Sequence, residues 1–306
     1  MVGGTMPARA SARRNDRHFI RRALGPCLLL ASAALLTVAS APAHADEIPE
    51  IRVDTLEAGS SARDTKRKAL QAVPLTQLPA AQRAVADSIL QDISLFRRLP
   101  TIRCETDARI YTYFSDHPDV AVSIWRAMGV SGVKMAETGR GAFSCDAGDG
   151  TLGQVEVLYR TPASSLVSCK GTFTSPLLPK PIKGAALMHV QVQTQREPSG
   201  KTYIIHKADL FVSFPSTAVD AVARTISPVC NKMMDRNFEE ISLFVRMMDE
   251  ASRRRPEWIY DIAPKLEGVA KERPTELVDL TRQVNAGAGN AKARTAIVPV
   301  AVPTTR

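Results

Sequence analysis

Two hydrophobic periods alternate along the central part of the chain. In residues 79–98, Val85, Ile89, Ile93 and Phe96 recur every three or four positions, which predicts an amphipathic helix. From Thr101 the period shortens to two. Ile102, Cys104, Ala108, Ile110 and Phe114 fall on one side, and Arg103, Glu105, Asp107 and Arg109 on the other, the pattern of a half-buried strand. The stretch FSDHPDVAVSIWRAMG, residues 114–129, then returns to the helical period through Val120, Ala121, Ile124, Trp125 and Met128. Ser115 or Asp116 is placed to cap this helix, Pro118 suits its first turn, and Gly129 suits its end. A helix of about three turns is marginal alone in water, so this one must rest against something apolar.

Five alternating segments follow: 132–145, 152–160, 165–173, 185–195 and 202–214. Asp149-Gly150 is a tight-turn pair between the first two, Pro176, Pro179 and Pro181 stiffen the loop before the fourth, and EPSG at 197–200 turns the chain into the last. With the strand at 101–114 they make about six strands in an antiparallel meander. Val155, Val157 and Tyr159 share a face, as do Val167, Cys169 and Phe173, then Met188, Val190 and Val192, then Ile204, Ala208, Leu210, Val212 and Phe214. A helix is expected to begin near Ala218 under a Ser216 or Thr217 cap, and Ser227-Pro228 must kink or restart it. From Val229 onward, Met233, Phe238, Ile241, Leu243, Phe244, Val245, Met247 and Met248 give a long helix an apolar surface wide enough to cover the sheet.

The expected fold class is therefore α+β: one antiparallel sheet, one long C-terminal helix against it, and an additional N-terminal helix. Strand, short helix, five strands and long helix, together with FSDHPDVAVSIWRAMG, resemble the START-like helix-grip superfamily, which includes the polyketide-cyclase and plant pathogenesis-related proteins. The resemblance covers about residues 101–252. It implies a curved sheet wrapped around the long helix, with a cavity between them that often holds a lipid or another apolar molecule. The residues expected to face that cavity are Trp125, Met135, Phe143, Tyr159, Phe173, Met188, His206, Leu210, Met233 and Phe244. The methionines of the long helix suit an adaptable apolar lining and equally suit an irregular core.

Composition places this unit within the chain. Residues 1–45 carry a basic run (Arg13, Arg14, Arg17, Arg21 and Arg22), an apolar core at 27–41 and small residues at Ala43–Ala45, which is the layout of a secretory signal cut after Ala45. Residues 46–78 read as a flexible segment, 79–252 as the helix-grip domain, 253–282 as a helical extension and 283–306 as a disordered tail rich in Ala, Gly, Thr and Pro. The location expected after export is secreted, periplasmic or cell-envelope, with no transmembrane span after cleavage. The formal charge of the whole chain is +9, but after residue 45 there are 34 basic against 30 acidic residues, and between Thr101 and Glu250 the two signs are equal at 16 each. That balance argues against nucleic acid as a partner, because phosphates call for a clustered positive face. Cys104, Cys145, Cys169 and Cys230 follow the signal; in an exported chain they allow two disulfides, with buried free thiols as the alternative.

Catalytic signatures are absent from the sequence: there is no HExxH, no GxSxG elbow and no Gly-rich phosphate loop. No Cys or His pair stands at metal-ligand spacing, CDAGDG at 145–150 reads as a hairpin turn and not a calcium loop, and no cofactor is implied. The leading expectation is a noncatalytic binder of a hydrophobic small molecule or lipid. One alternative is a cyclase or hydrolase using His206 and Glu137 as a polar pair, which requires both side chains to face one cavity. The other is an envelope structural or interaction module using the tails and the RRRPEWIY segment, with Trp258 and Tyr260 as exposed anchors.

Overall fold

The computed structural model describes residues 51–296 except 177–179, 199, 217–218 and 220–226. The segment expected to be a secretory signal and most of the helix expected near Ala218 lie outside the described residues.

The molecule is α+β, built on one large antiparallel sheet. Its strands are β1 (Asp54–Glu57), β2 (Leu95–Arg98), β3 (Thr101–Glu105), β4 (Lys134–Gly139), β5 (Ala142–Asp146), β6 (Thr151–Thr161), β7 (Ser164–Phe173), β8 (Ile182–Arg196) and β9 (Thr202–Ser213). They lie in the order β1-β3-β9-β8-β7-β6-β5-β4, with β2 also paired to β9. Among the described residues the sheet thus has nine strands where about six were expected, and each addition has a local cause. Gly141, at φ +68°, folds residues 132–145 into the β4–β5 hairpin. The helix expected over 79–98 stops at Leu90, and Leu95–Arg98 pairs with β9 instead. Pro100 has no N–H to give to a ladder, so the chain breaks there and resumes as β3 along the same neighbour. β1 comes from the segment expected to be flexible, as does helix α1 (Arg63–Ala72), which precedes α2 (Ala80–Leu90).

Residues 101–114 do not form one strand. The Asp107 carboxylate accepts the Arg109 backbone N–H at 2.9 Å and starts α3 (Ala108–Asp116). Ile110 and Phe114 are four apart, so they satisfy either period, and the cap decides the outcome. Ser115 and Asp116 therefore end a helix and do not begin one; the Ser115 hydroxyl donates back to the Tyr111 carbonyl at 2.8 Å. After His117, Pro118 opens α4 (Pro118–Ala127), and Gly129 closes it at φ +71°. The described part of the long helix is α5 (Ser227–Arg254), with Pro228 as its second residue, and the join to the preceding segment lies outside the described residues. α6 (Pro256–Ile262) and α7 (Arg273–Ala296) follow, and α7 runs into the stretch expected to be a disordered tail.

Both faces of the sheet are covered. On the outer face α1 and α2 bring Ala69, Val73 and Ile89 onto Phe96, Leu166, Leu187 and Phe211. On the inner face the first half of α5 sets Cys230, Met234 and Phe238 against Ile102, Ala208, Leu210 and Val212. The second half, with Phe244, Val245 and Met248, packs among Ile110, Phe114 and Ile124 of α3–α4 and Ile259 and Leu277 of α6–α7. Trp258 joins this helical cluster as a partly buried side chain, which removes it as an exposed anchor. Two buried carboxylates fix the frame. Asp209, 1 % exposed, receives Arg98 on both oxygens at 2.7 and 2.8 Å, joining β2 to β9. Asp249 of α5 accepts the Asp107 backbone N–H at 2.9 Å and the Arg253 guanidinium at 2.9 Å, which anchors the start of α3 to the long helix.

Candidate functional site

A cavity of about 320 Å³ lies between the inner face of the sheet and α5, and α3 and α4 bound it as well. Strand register explains its wall. Val157, Val167, Met188 and Leu210 stand opposite one another across β6, β7, β8 and β9, forming a continuous apolar row that lines the space. Met135 and Phe143 extend the wall to β4 and β5, at the far end of the sheet. The facing wall is one side of α5, where Met234, Asn237, Phe238, Ile241 and Phe244 follow helical spacing. Phe244 also receives the edges of Phe114 and Trp125, each 5.3 Å between ring centres and steeply tilted.

Seven of the ten residues expected at the site line this cavity: Trp125, Met135, Phe143, Met188, His206, Leu210 and Phe244. Three do not. Tyr159 is turned away by a bulge in β6: pairing passes from Val157↔Val167 to Tyr159↔Leu166, so Leu158 is the extra residue and alternation breaks there. Tyr159 then packs on the outer face and donates its hydroxyl to Gln77. Phe173 is buried, but at the far end of β7 between Thr151 and Ile182, past Cys169, the last residue of its strand face to reach the cavity. On α5 it is Met234 that reaches the space, and Met233, one residue earlier, is only half-buried beside it.

His206 is held from both sides. The Ser242 hydroxyl donates to the Phe238 carbonyl at 2.7 Å and so accepts from His206 Nε2 at 2.8 Å. Nδ1 is left as the acceptor of the Tyr111 hydroxyl at 2.9 Å. The imidazole is thus neutral and protonated on Nε2, and burial pushes its pKa down to about 4. Burial likewise raises the Tyr111 phenol well above its ordinary range. Glu137 stands opposite Phe143 in the β4–β5 register, but its carboxylate meets Arg273 of α7 at 3.2 Å and does not line the cavity. The His206–Glu137 pair required for the catalytic alternative is therefore not assembled.

Two residues that the sequence reading passed over give the cavity its polar character. Asn237 is 8 % exposed and its side-chain nitrogen has no hydrogen-bond partner. At the β6–β7 turn, Arg160 pairs with Asp116 and also donates to the Ser115 carbonyl at 3.1 Å, so charge joins the strand ends to the α3–α4 corner. Both Arg160 and Asp116 border the cavity. Helical spacing from Phe238 and Ile241 points to Asn237; the Arg160 contact depends on tertiary approach and has no local signal.

Elsewhere the chemistry is sparse. An open groove of about 960 Å³, bordered by Lys134, Lys170, Lys183 and the exposed Leu152, is a broad surface concavity without the apolar enclosure of the inner space. Among the described residues no group of His, Cys, Asp and Glu is placed to hold a metal ion. Asp146 and Asp149 accept the backbone N–H groups of Gly148 and Thr151 at 2.8 and 3.0 Å, which makes CDAGDG a hairpin turn. Among the described residues Cys104, Cys145, Cys169 and Cys230 are free thiols. No helix among the described residues is long and apolar enough to cross a membrane.

No family model and no curated relative matches the chain. Among solved structures, a conserved protein from Geobacillus kaustophilus aligns over 47 % of this chain and 91 % of its own, at 13 % identity and a TM-score of 0.34. An uncharacterized protein from Rhizobium leguminosarum aligns over 50 % of this chain and 92 % of its own, at 12 % identity and a TM-score of 0.30. A hypothetical protein from Helicobacter pylori aligns over 47 % of this chain and 83 % of its own, at 11 % identity and a TM-score of 0.30.

Proposed function

We propose that this chain is an exported, noncatalytic binding protein that carries an apolar small molecule or lipid between its sheet and its long helix, in the manner of a helix-grip fold. The observation that carries the reading is the 320 Å³ space whose walls are Val157, Val167, Met188 and Leu210 on one side and Met234, Phe238 and Phe244 on the other. That volume stands at the small end of ligand cavities and holds about ten water-sized groups at ~30 Å³ each. Ten methylene-sized groups taken from water contribute about 8 kcal/mol gross, and an association cost of about 4 kcal/mol leaves about 4 kcal/mol, an affinity in the millimolar range for a purely apolar guest. Export rests on the basic, apolar and small-residue layout of residues 1–45.

The catalytic alternative loses its support because His206 has both nitrogens engaged and Glu137 is bound to Arg273. The test is native mass spectrometry and solvent extraction of the protein purified from the cell envelope, joined to displacement of an apolar fluorescent dye by ten- to twelve-carbon compounds. A co-purifying apolar compound, or saturable displacement, is expected. A protein that carries nothing and releases no dye to any of these compounds refutes the reading.

A further inference from the structure

Buried side-chain donors are almost always satisfied in folded proteins, so one that faces an apolar space without a partner points to a group not yet in place. Asn237 is that donor. It lines the cavity from the middle of α5, is more than nine-tenths buried, and has no partner for its side-chain nitrogen. Among the described residues it is the sole cavity-lining side chain with a buried polar atom left unpaired. The neighbouring polar side chains Tyr111, His206 and Ser242 bond to one another, and none of them bonds the Asn237 side-chain nitrogen. A buried water needs two to four polar partners, and Met234, Phe238 and Ile241, the α5 side chains that face the cavity beside Asn237, offer it none.

We infer that Asn237 is the recognition group of the cavity, and that the molecule bound there carries an uncharged hydrogen-bond acceptor, a ketone or ester carbonyl or a hydroxyl oxygen, on an apolar body of about ten to twelve non-hydrogen groups. The inference rests on the binding reading above and narrows it. Charge decides against a carboxylate at this position. The charged residues that border the cavity are Asp116 and Arg160, which bind each other, so a buried anion beside Asn237 has no cation to offset its desolvation. A neutral oxygen gains the amide hydrogen bond without that cost.

The test uses the full mature chain with 2-undecanone, undecane and decanoate as competitors of an apolar dye, in the wild type and in Asn237→Leu. The substitution is expected to weaken the ketone about tenfold and leave the hydrocarbon within about twofold. In the wild type, the carbonyl stretch of bound 2-undecanone is expected at lower frequency than in alkane solvent, a readout independent of whether the variant folds. An alkane-like stretch, or equal losses for ketone and hydrocarbon, overturns the role of Asn237 while leaving an apolar carrier standing. Decanoate that depends on Asn237 as strongly as the ketone does overturns the requirement for an uncharged group. Failure of all three probes to bind the wild type removes the carrier reading and this inference together.

Discussion

Acidification tests the buried His206 contact most directly. The imidazole has its pKa lowered from 6.5 to about 4, and the cause is burial. The unfolded chain therefore takes up this proton at higher pH than the folded chain does. The stability conferred by the neutral ring is complete above pH 6.5 and is lost as the pH falls toward 4. Between pH 7.5 and pH 5 the loss from this one group is ~2 kcal/mol, and by pH 4 it is ~3 kcal/mol. Other groups titrate in the same range: burial lowers His117 and His189, which adds to the acid loss, and raises Asp119 and Asp249, which opposes it. The assay is therefore a difference. Urea unfolding of wild type and His206→Gln is followed from pH 7.5 to pH 4, and the wild type should show the steeper acid loss by that amount. Proton NMR of the His206 ring gives the same quantity without a variant. A ring that titrates near 6.5 in the folded protein, or parallel acid profiles for the wild type and His206→Gln, refutes the assignment of a dry imidazole hydrogen-bonded at both nitrogens.

Further consequences follow from single contacts. Asp209→Ala leaves Arg98 half-buried and unpaired and should cost about 3 kcal/mol in chemical denaturation, the low end for breaking a buried pair because Arg98 keeps some exposure. Arg160→Ala should change stability by less than ~1 kcal/mol, since its pair with Asp116 is partly exposed, yet speed dye exchange measured by stopped flow. Burial pushes Cys145 up to about 11 and Cys169 up to about 12, so native protein should react slowly with iodoacetamide, and denaturation without reductant should expose four thiols by intact mass. Asp119 is fully buried with neither carboxylate oxygen bonded, and burial raises its pKa; Asp119→Asn should therefore raise the denaturation midpoint at pH 7.5.

The sequence carried the inner wall well, because a half-buried strand must alternate whatever its neighbours are. Val155, Val167, Met188 and Leu210 were readable for that reason, and so was the long helix behind them. Failures cluster where a local signal competes with the period. A cap at Asp107 outweighed the alternation of residues 101–114, and an extra residue at Leu158 turned Tyr159 outward. The edge strands β1 and β2 were not legible because their pairing partners lie far away in sequence, as in Leu95↔Val212 and Asp54↔Arg103. A readable signal was passed over in Gly153, Gly171 and Gly184. Their register aligns them side by side across β6, β7 and β8, a line along which a sheet can bend with no Cβ to resist it.

What keeps the space from collapsing can be traced to two kinds of contact. His206 of β9 bridges to Ser242 of α5 and Tyr111 of α3, so a polar link of fixed length sets the separation of sheet, short helix and long helix. An all-apolar contact at that point has no preferred length and would let α5 settle onto the strands, since apolar attraction is non-directional and a close-packed interior is favoured. On the other side, Phe114 and Trp125 meet Phe244 edge-on, and rigid rings resist closure where flexible chains would fold inward. The polar bridge thus explains a buried histidine without assigning it chemistry, and it accounts for why the remaining donor, Asn237, is left facing an open volume.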